Sequence, residues 1–323
     1  MSLLFRDIGG RSPTPAGSVV CIGAFDGLHR GHQALIGHAR ARARERGLPL
    51  VGLSFEPLPR EFFMAAEPPP RLSLPAAKFA GLRELGVDVI GFLRFNAAMV
   101  AMPAEVFVRR VLVAKLQARE VWVGPDFRFG HRRGGDLGLL QRMGLELGFT
   151  TQALPLVAEA GERVSSTAVR AALAAADFER AAALLGRPYT IAGKVGRGQQ
   201  LGRTLGYPTA NLRFGGKRPP LQGIFATRVH GIGAQPIPSV SSLGTRPTVQ
   251  GKAPWLEVHV FDFAGDLYGR RIEVEFVAKL RDEIRFDDLP ALIVQMDRDA
   301  AEARTILAAG PIEHVLPTEA LRP

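Results

Sequence analysis

A change of texture at Gly186 and Pro188 constrains this chain more than any other feature, because a hydrophobic period has to suit one kind of element throughout a segment. Before it, apolar runs at 18–25, 50–55, 87–93 and 120–124 read as buried strands. They alternate with helical stretches at 33–46, 76–85 and 104–116. Apolar strands separated by helices predict a parallel, Rossmann-like sheet with helices on both faces. An Ala-rich helix is predicted over 168–185, ended by Gly186 and Pro188. Beyond it, the segments at 189–195, 225–229, 255–263 and 271–279 are short, alternating and punctuated by Gly or Pro. That spacing predicts an antiparallel β-barrel or sandwich. A last helix over 289–307 follows the cap Phe286-Asp287-Asp288. The reading is an α/β domain over 1–186 and a β-barrel domain over 187–323, each long enough for its own core.

Composition narrows the function classes. No apolar run approaches the roughly 18 residues that span a bilayer, and the start Met1-Ser2-Leu3-Leu4-Phe5-Arg6-Asp7 lacks a signal-peptide stretch, so a cytoplasmic protein is expected. The single cysteine, Cys21, lies in the apolar run Val19-Val20-Cys21-Ile22, which predicts a buried, inert thiol. A net charge of +10 invites a nucleic-acid reading. The cations are scattered, however, and only six of the 41 are Lys. Tyr and Trp total five, and the basic runs 40–46 and His131-Arg132-Arg133 hold no stacking platform for bases. Nucleic acid is therefore not expected as a partner, and small anionic substrates suit the charge as well.

The strongest chemical signal is Gly23-Ala24-Phe25-Asp26-Gly27-Leu28-His29-Arg30-Gly31-His32-Gln33, between the first strand and the first helix. Its glycines allow close backbone approach, and the helix start offers free N–H groups and a positive dipole end to phosphate. His29 and His32 can address one phosphoryl group; metal ligation or a pair of turn histidines is the alternative. The segment is neither a Walker loop nor a Rossmann fingerprint. Its His-x-Gly-His core resembles the nucleotidyltransferase superfamily, and the full string is similar to the adenylyltransferase half of the bacterial bifunctional riboflavin kinase and FAD synthetase family. Three further blocks match in order: Phe55-Glu56-Pro57-Leu58-Pro59, Gly124-Pro125-Asp126-Phe127-Arg128-Phe129-Gly130, and Arg163-Val164-Ser165-Ser166-Thr167-Ala168-Val169-Arg170. The resemblance implies that His29 and His32 are catalytic. It implies that Gly23, Phe25, Asp26, Gly31, Asp126, Arg163, Ser166, Thr167 and Arg170 hold nucleotide and phosphate, and that Phe55, Pro57 and Phe127 face flavin.

The second half opens on Gly196-Arg197-Gly198-Gln199-Gln200-Leu201-Gly202-Arg203-Thr204-Leu205-Gly206, a loop able to wrap phosphates with backbone donors. In Pro208-Thr209-Ala210-Asn211, alternation puts the Thr209 hydroxyl and the Asn211 amide oxygen on one side of an extended chain, two donors suited to Mg²⁺. From these residues alone a simple turn is the preferred reading, since Thr and Asn two apart after a Pro are commonplace turn formers. The block resembles the riboflavin kinase signature of the same family. So do Gly244-Thr245-Arg246-Pro247-Thr248, Glu257-Val258-His259, Asp266-Leu267-Tyr268-Gly269 and Leu280-Arg281-Asp282-Glu283 with Phe286. The resemblance implies Glu257 as general base, Gly196, Gly198, Gly202 and Arg203 at the nucleotide, Thr209 and Asn211 at the metal, and Arg281, Glu283 and Phe286 at the flavin. Two departures stand out: Ser242-Leu243-Gly244 replaces the usual Asn-Ile-Gly, and Phe225 stands where an aromatic hydroxyl is usual.

The resemblance thus implies two ATP-dependent reactions, riboflavin to FMN in the second domain and FMN to FAD, with release of pyrophosphate, in the first. A nucleotidyltransferase with another phosphate acceptor is the rival enzyme, but such relatives lack the second domain. A basic RNA-binding protein is the rival from another class.

Overall fold

A computed structural model describes residues 2–197, 206–248 and 251–309. The chain divides into two compact units, Met1–Pro69 with Pro75–Ser166, and Pro70–Leu74 with Thr167–Pro323. The expected boundary at 186/187 falls later, because the helices before it group with the barrel.

In the first unit, β1 (Leu3–Phe5), β2 (Ser18–Ile22), β3 (Leu50–Glu56), β4 (Val89–Arg94), β5 (Ala118–Val123) and β6 (Thr150–Ala153) form a six-stranded sheet in the order β1-β4-β3-β2-β5-β6. Every pairing is parallel. Strand alternation sorts β2 between two cores. Val19 and Cys21 join Leu35, Ile36, Ala39 and Ala43 of α1 (Arg30–Glu45) on one face. Val20 and Ile22 join Val108, Val111 and Leu112 on the other. Cys21 is fully buried and burial pushes its thiol up to about 12, so it stays protonated, as its apolar setting predicts.

Between the strands lie α2 (Pro59–Phe63), α3 (Pro75–Glu84), α4 (Ala97–Val100), α5 (Ala104–Phe107) and, after β5, α6 (Leu137–Leu147). The stretch predicted as one helix over 104–116 continues from α5 as a π-helix, Val108–Lys115. The helix predicted over 168–185 is two, α7 (Ser166–Ala174) and α8 (Phe178–Leu185). Ala176 adopts a left-handed φ of 55°, and Asp177 caps α8 by accepting from Arg180 N at 2.9 Å. Gly186, with φ 72°, ends α8 as its position predicts. The edge strand β1 and the hairpin β7 (Ala158–Glu159) and β8 (Glu162–Arg163) carry too few residues for a readable period.

The second unit is a closed antiparallel barrel of β9 (Thr190–Gly196), β10 (Ala210–Arg213), β11 (Gly223–His230), β12 (Ile237–Thr248), β13 (Gly251–Val260) and β14 (Arg271–Arg281), ordered β10-β13-β12-β11-β14-β9. β12 escapes the hydrophobic pattern because serines occupy two of its buried positions, 239 and 241. Ser239 and Ser241 are satisfied there by Thr227, each hydroxyl pair 2.7 Å apart. Phe225 is fully buried, with its ring 5.2 Å from Phe276 and 6.1 Å from Phe178, an apolar setting that suits the missing hydroxyl. The last helix, α9 (Leu289–Ala308), starts at the predicted cap: Asp288 accepts from Ala291 N at 2.8 Å. Ala303 and Leu307 of α9 pack with Ala226 and Phe261 of the barrel.

One buried charge fastens helix to sheet in the first unit. Glu120 of β5, 1% exposed, accepts from Arg42 Nε at 3.1 Å, Arg46 Nε at 2.7 Å and Trp122 Nε1 at 2.8 Å. Burial pushes its pKa up, but the hydrogen bonds from Arg42, Trp122 and Arg46 outweigh that and hold it below the usual range. A carboxyl with a depressed folded pKa contributes stability above its unfolded pKa and loses it as pH falls through the folded value. Glu120→Gln is expected to lower the stability of this unit by about 1 to 3 kcal/mol at pH 7, read from hydrogen exchange of β5 amides. The gap between variant and wild type should close in acid, below the usual carboxylate range.

Candidate active sites

The C-terminal end of β2 lies where the strand order turns, with β3 on one side and β5 on the other, the place where open α/β sheets bind ligands. The loop leaving it is tightly wound: Phe25 and Leu28 both have φ 49°, and burial of both side chains holds that backbone. Helix α1 begins three residues before its predicted start at 33, because His29 is its N-cap, Nδ1 accepting from His32 N at 3.3 Å. A Cβ at Gly31 would crowd that Nδ1 at 3.2 Å. The rings of His29 and His32 stack at 3.7 Å and 17°, and Phe25 meets His32 edge-on at 5.3 Å.

Burial foremost, then the charges of His29 and Lys78, hold His32 well below the usual imidazole range, so it is neutral at pH 7. A neutral imidazole can still donate one hydrogen bond to a phosphate oxygen. Parallel rings do not aim their lone pairs at one ion. Among the described residues no group of three or more His, Cys, Asp or Glu side chains can hold a metal.

Three distant blocks converge near this loop. Ser166, opening α7, donates its hydroxyl to the carbonyl of Asp26 at 3.0 Å, and the Asp26 side chain is buried. Asp126 pairs with Arg163 at 2.6 Å. Phe55 and Phe127 belong to one train of rings through Phe107 and Phe129, at 6.4, 5.7 and 5.3 Å, and Phe95 flanks Phe55 at 5.5 Å. Of the linking residues, Phe129 lies in the motif block 124–130, whereas Phe107 and Phe95 belong to no block that the sequence marked. Pro57 follows a cis peptide bond. Thr167 and Arg170 continue α7 and group with the second unit, where Arg170 Nε donates to the carbonyl of Pro70 at 2.6 Å.

The barrel carries a cavity of about 280 Å³. Its walls bring together Thr209, Glu257, Arg281, Glu283 and Phe286, residues from three separate sequence blocks. Register explains the convergence. Asn211 lies opposite Gly196 on one side and Glu257 on the other, and Glu257 lies opposite Ser242, so one rung crosses β9, β10, β13 and β12. Asn211 is buried, and its Nδ2 is 3.4 Å from Thr209 Oγ1, which puts both side chains on one side of the chain as alternation predicts. Glu283 accepts from Gln222 Nε2 at 3.0 Å and lies so close to Gly244 that a Cβ there would overlap its carboxylate. Gly198, Gly202 and Arg203 lie outside the described residues.

Helix α9 adds residues that no sequence signal marked, since they are distant from every motif. Leu292, Met296 and Asp299 form one wall of the cavity. Asp299, 4% exposed, grips Arg281 with Nε at 2.9 and 3.1 Å from its two oxygens and Nη2 at 2.6 Å, and accepts from Gln295 at 2.8 Å. Asp297 accepts from the hydroxyl of Tyr207, the residue before Pro208. Burial and that bond push Tyr207 up to about 12, so it remains a donor.

Comparison with known proteins shows the family of both domains. A family model described as FAD synthetase matches residues 11–168, and one described as riboflavin kinase matches 185–307. The bifunctional riboflavin kinase/FMN adenylyltransferase of Escherichia coli K12 is 44% identical over 302 residues, covering 93% of this chain and 96% of that protein. Its counterpart from Pseudomonas fluorescens is 47% identical over 306 residues, covering 94% and 98%. A solved structure described as a macrolide-efflux protein from Streptococcus pneumoniae aligns with a TM-score of 0.73 at 30% identity, covering 94% of this chain and 98% of that one. No described helix is long and apolar enough to cross a membrane. With an FAD synthetase domain preceding a riboflavin kinase domain, the chain belongs to the family of bifunctional riboflavin kinases/FMN adenylyltransferases.

Proposed function

We propose that the barrel phosphorylates riboflavin to FMN with ATP, that the α/β unit adenylylates FMN to FAD with release of pyrophosphate, and that the activities divide near residue 186. The observation that carries the kinase assignment is Glu257, opposite Asn211 in the strand register and in a cavity shared with Thr209, Arg281, Glu283 and Phe286. Thr209 and Asn211 offer neighbouring oxygen donors, a set that fits Mg²⁺, which takes few protein ligands and completes its shell with phosphate and water. Bound there, Mg²⁺ would neutralise charge on the nucleotide phosphates. Glu257 takes the proton of the ribityl 5′-hydroxyl as that oxygen attacks the γ-phosphorus of ATP, whose bond to the β,γ-bridging oxygen breaks so that ADP leaves. Arg281, Glu283 and Phe286 hold the flavin so that the hydroxyl reaches the base, while Gly196, with Gly198, Gly202 and Arg203, serves the nucleotide.

In the α/β unit a phosphate oxygen of FMN attacks the α-phosphorus of ATP. No covalent enzyme intermediate is needed, so the work is alignment and charge stabilisation. His29 and His32, in a loop bounded by Gly23, Phe25, Asp26 and Gly31, address the α-phosphate. The start of α7 at Ser166 supplies donors to the leaving phosphates. Asp126 and Arg163 act as a pair at the nucleotide, and Phe55, Pro57 and Phe127 receive the isoalloxazine ring.

Chromatographic separation of FMN and FAD tests the division. Glu257→Gln should lower FMN formation by about a hundredfold or more while sparing FAD made from supplied FMN, and His32→Ala should do the reverse. If either variant, still folded, loses both products, one site per domain is wrong. Asp299→Asn removes the charge that fixes Arg281. It should raise the KM for riboflavin about tenfold with a smaller change in kcat, measured by steady-state phosphorylation at saturating ATP.

A further inference from the structure

Lys78 of α3 is completely buried, yet its ammonium has a distinct set of neighbours. Nζ lies 3.4 Å from the carbonyl of Ala24, 3.3 Å from Ser54 Oγ, 3.5 Å from the carbonyl of Phe55 and 3.4 Å from Glu56 Oε2. It also stands 4.7 Å from the centre of the Phe92 ring. Ser54 Oγ donates to the same Ala24 carbonyl at 3.0 Å, so it is left to accept from Lys78 and the donors and acceptors are consistent.

These partners are not scattered through the core. Ala24 lies in the loop after β2 that carries His29 and His32, and Ser54, Phe55 and Glu56 close β3 just before Pro57. β2 and β3 are adjacent parallel strands, so the ammonium bridges the loop that leaves β2 and the C-terminal end of β3. Stability alone is a poor reason for it, since a buried ion pair is often replaced by apolar residues of similar volume without loss. Its placement supplies a better reason. We propose that Lys78 is a positioning residue for adenylyl transfer, tying the histidine loop to the flavin-side end of β3 so that the two substrates meet in line.

This rests on the assignment of adenylyl transfer to the α/β unit. The Ala24 carbonyl precedes Phe25, whose ring abuts His32, so loosening the bridge moves the histidines relative to Phe55. A displacement near 1 Å in such a site costs up to about a hundredfold in rate.

The experiment uses the full chain and supplied FMN. Lys78→Met keeps the length of the side chain and removes the ammonium; Lys78→Gln keeps one donor. The kcat of FAD formation should fall by about ten- to a hundredfold in Lys78→Met and less in Lys78→Gln. The KM values for FMN and ATP should change by less than about threefold and riboflavin phosphorylation should be unchanged; the rate should be lost well below the melting transition, which falls because Glu56 and its neighbours lose a partner. Wild-type kcat in Lys78→Met overturns the proposal. So does a raised KM for ATP with unchanged kcat, which would make Lys78 a simple charge for the triphosphate, or a loss of rate that merely tracks a lowered melting temperature. His32→Ala run alongside separates the two ideas: if it leaves FAD formation intact, the site assignment itself fails.

Discussion

Alternation of side chains along paired strands is the constraint on which both units depend. In the barrel, Gly196, Asn211, Glu257 and Ser242 share one rung across four strands. In the next, Leu212, Leu256 and Leu243 face one another and all are buried. A shift of one residue in any of these strands would exchange the polar rung for the apolar one and dissolve core and site together. Leu243, one of the departures from the usual pattern, thus belongs to the packing rung rather than to the chemical one.

The parallel sheet obeys the same rule with a different outcome. Because β2 is covered on both faces, its successive residues serve two cores, and neither face is left for chemistry. Function is displaced to the loop beyond Ile22, where backbone N–H groups and a helix start are available. The stacked histidines are then a consequence of the helix entering at His29: a cap and a residue one turn later share a helix face.

Buried charges mark the joints between elements. Glu120 joins α1 to β5, Lys78 joins α3 to two strand ends, and Asp299 joins α9 to β14. Each is held by several partners, as a charge removed from water must be. Glu120 sits among arginines and a tryptophan in the sheet flank, whereas Lys78 and Asp299 sit beside groups assigned to substrate. The same physics therefore serves stability in one place and alignment in the other two.

The change of period at Gly186 and Pro188 was enough to distinguish a parallel sheet from an antiparallel barrel, because strand burial on two faces or one writes itself into the order of apolar residues. The motif blocks at 23–33, 208–211 and 257 were legible for a similar reason: their chemistry needs neighbours in the chain. β12 was hidden because two of its buried positions, 239 and 241, are serines, and the break at Ala176 because an Ala-rich run carries no period. Asp299, Lys78 and the link that Phe107 makes between Phe55 and Phe129 became functional candidates only once the fold was closed. Their partners lie far away in sequence, and a contact between a helix and a distant strand end leaves no spacing in the chain by which it can be read.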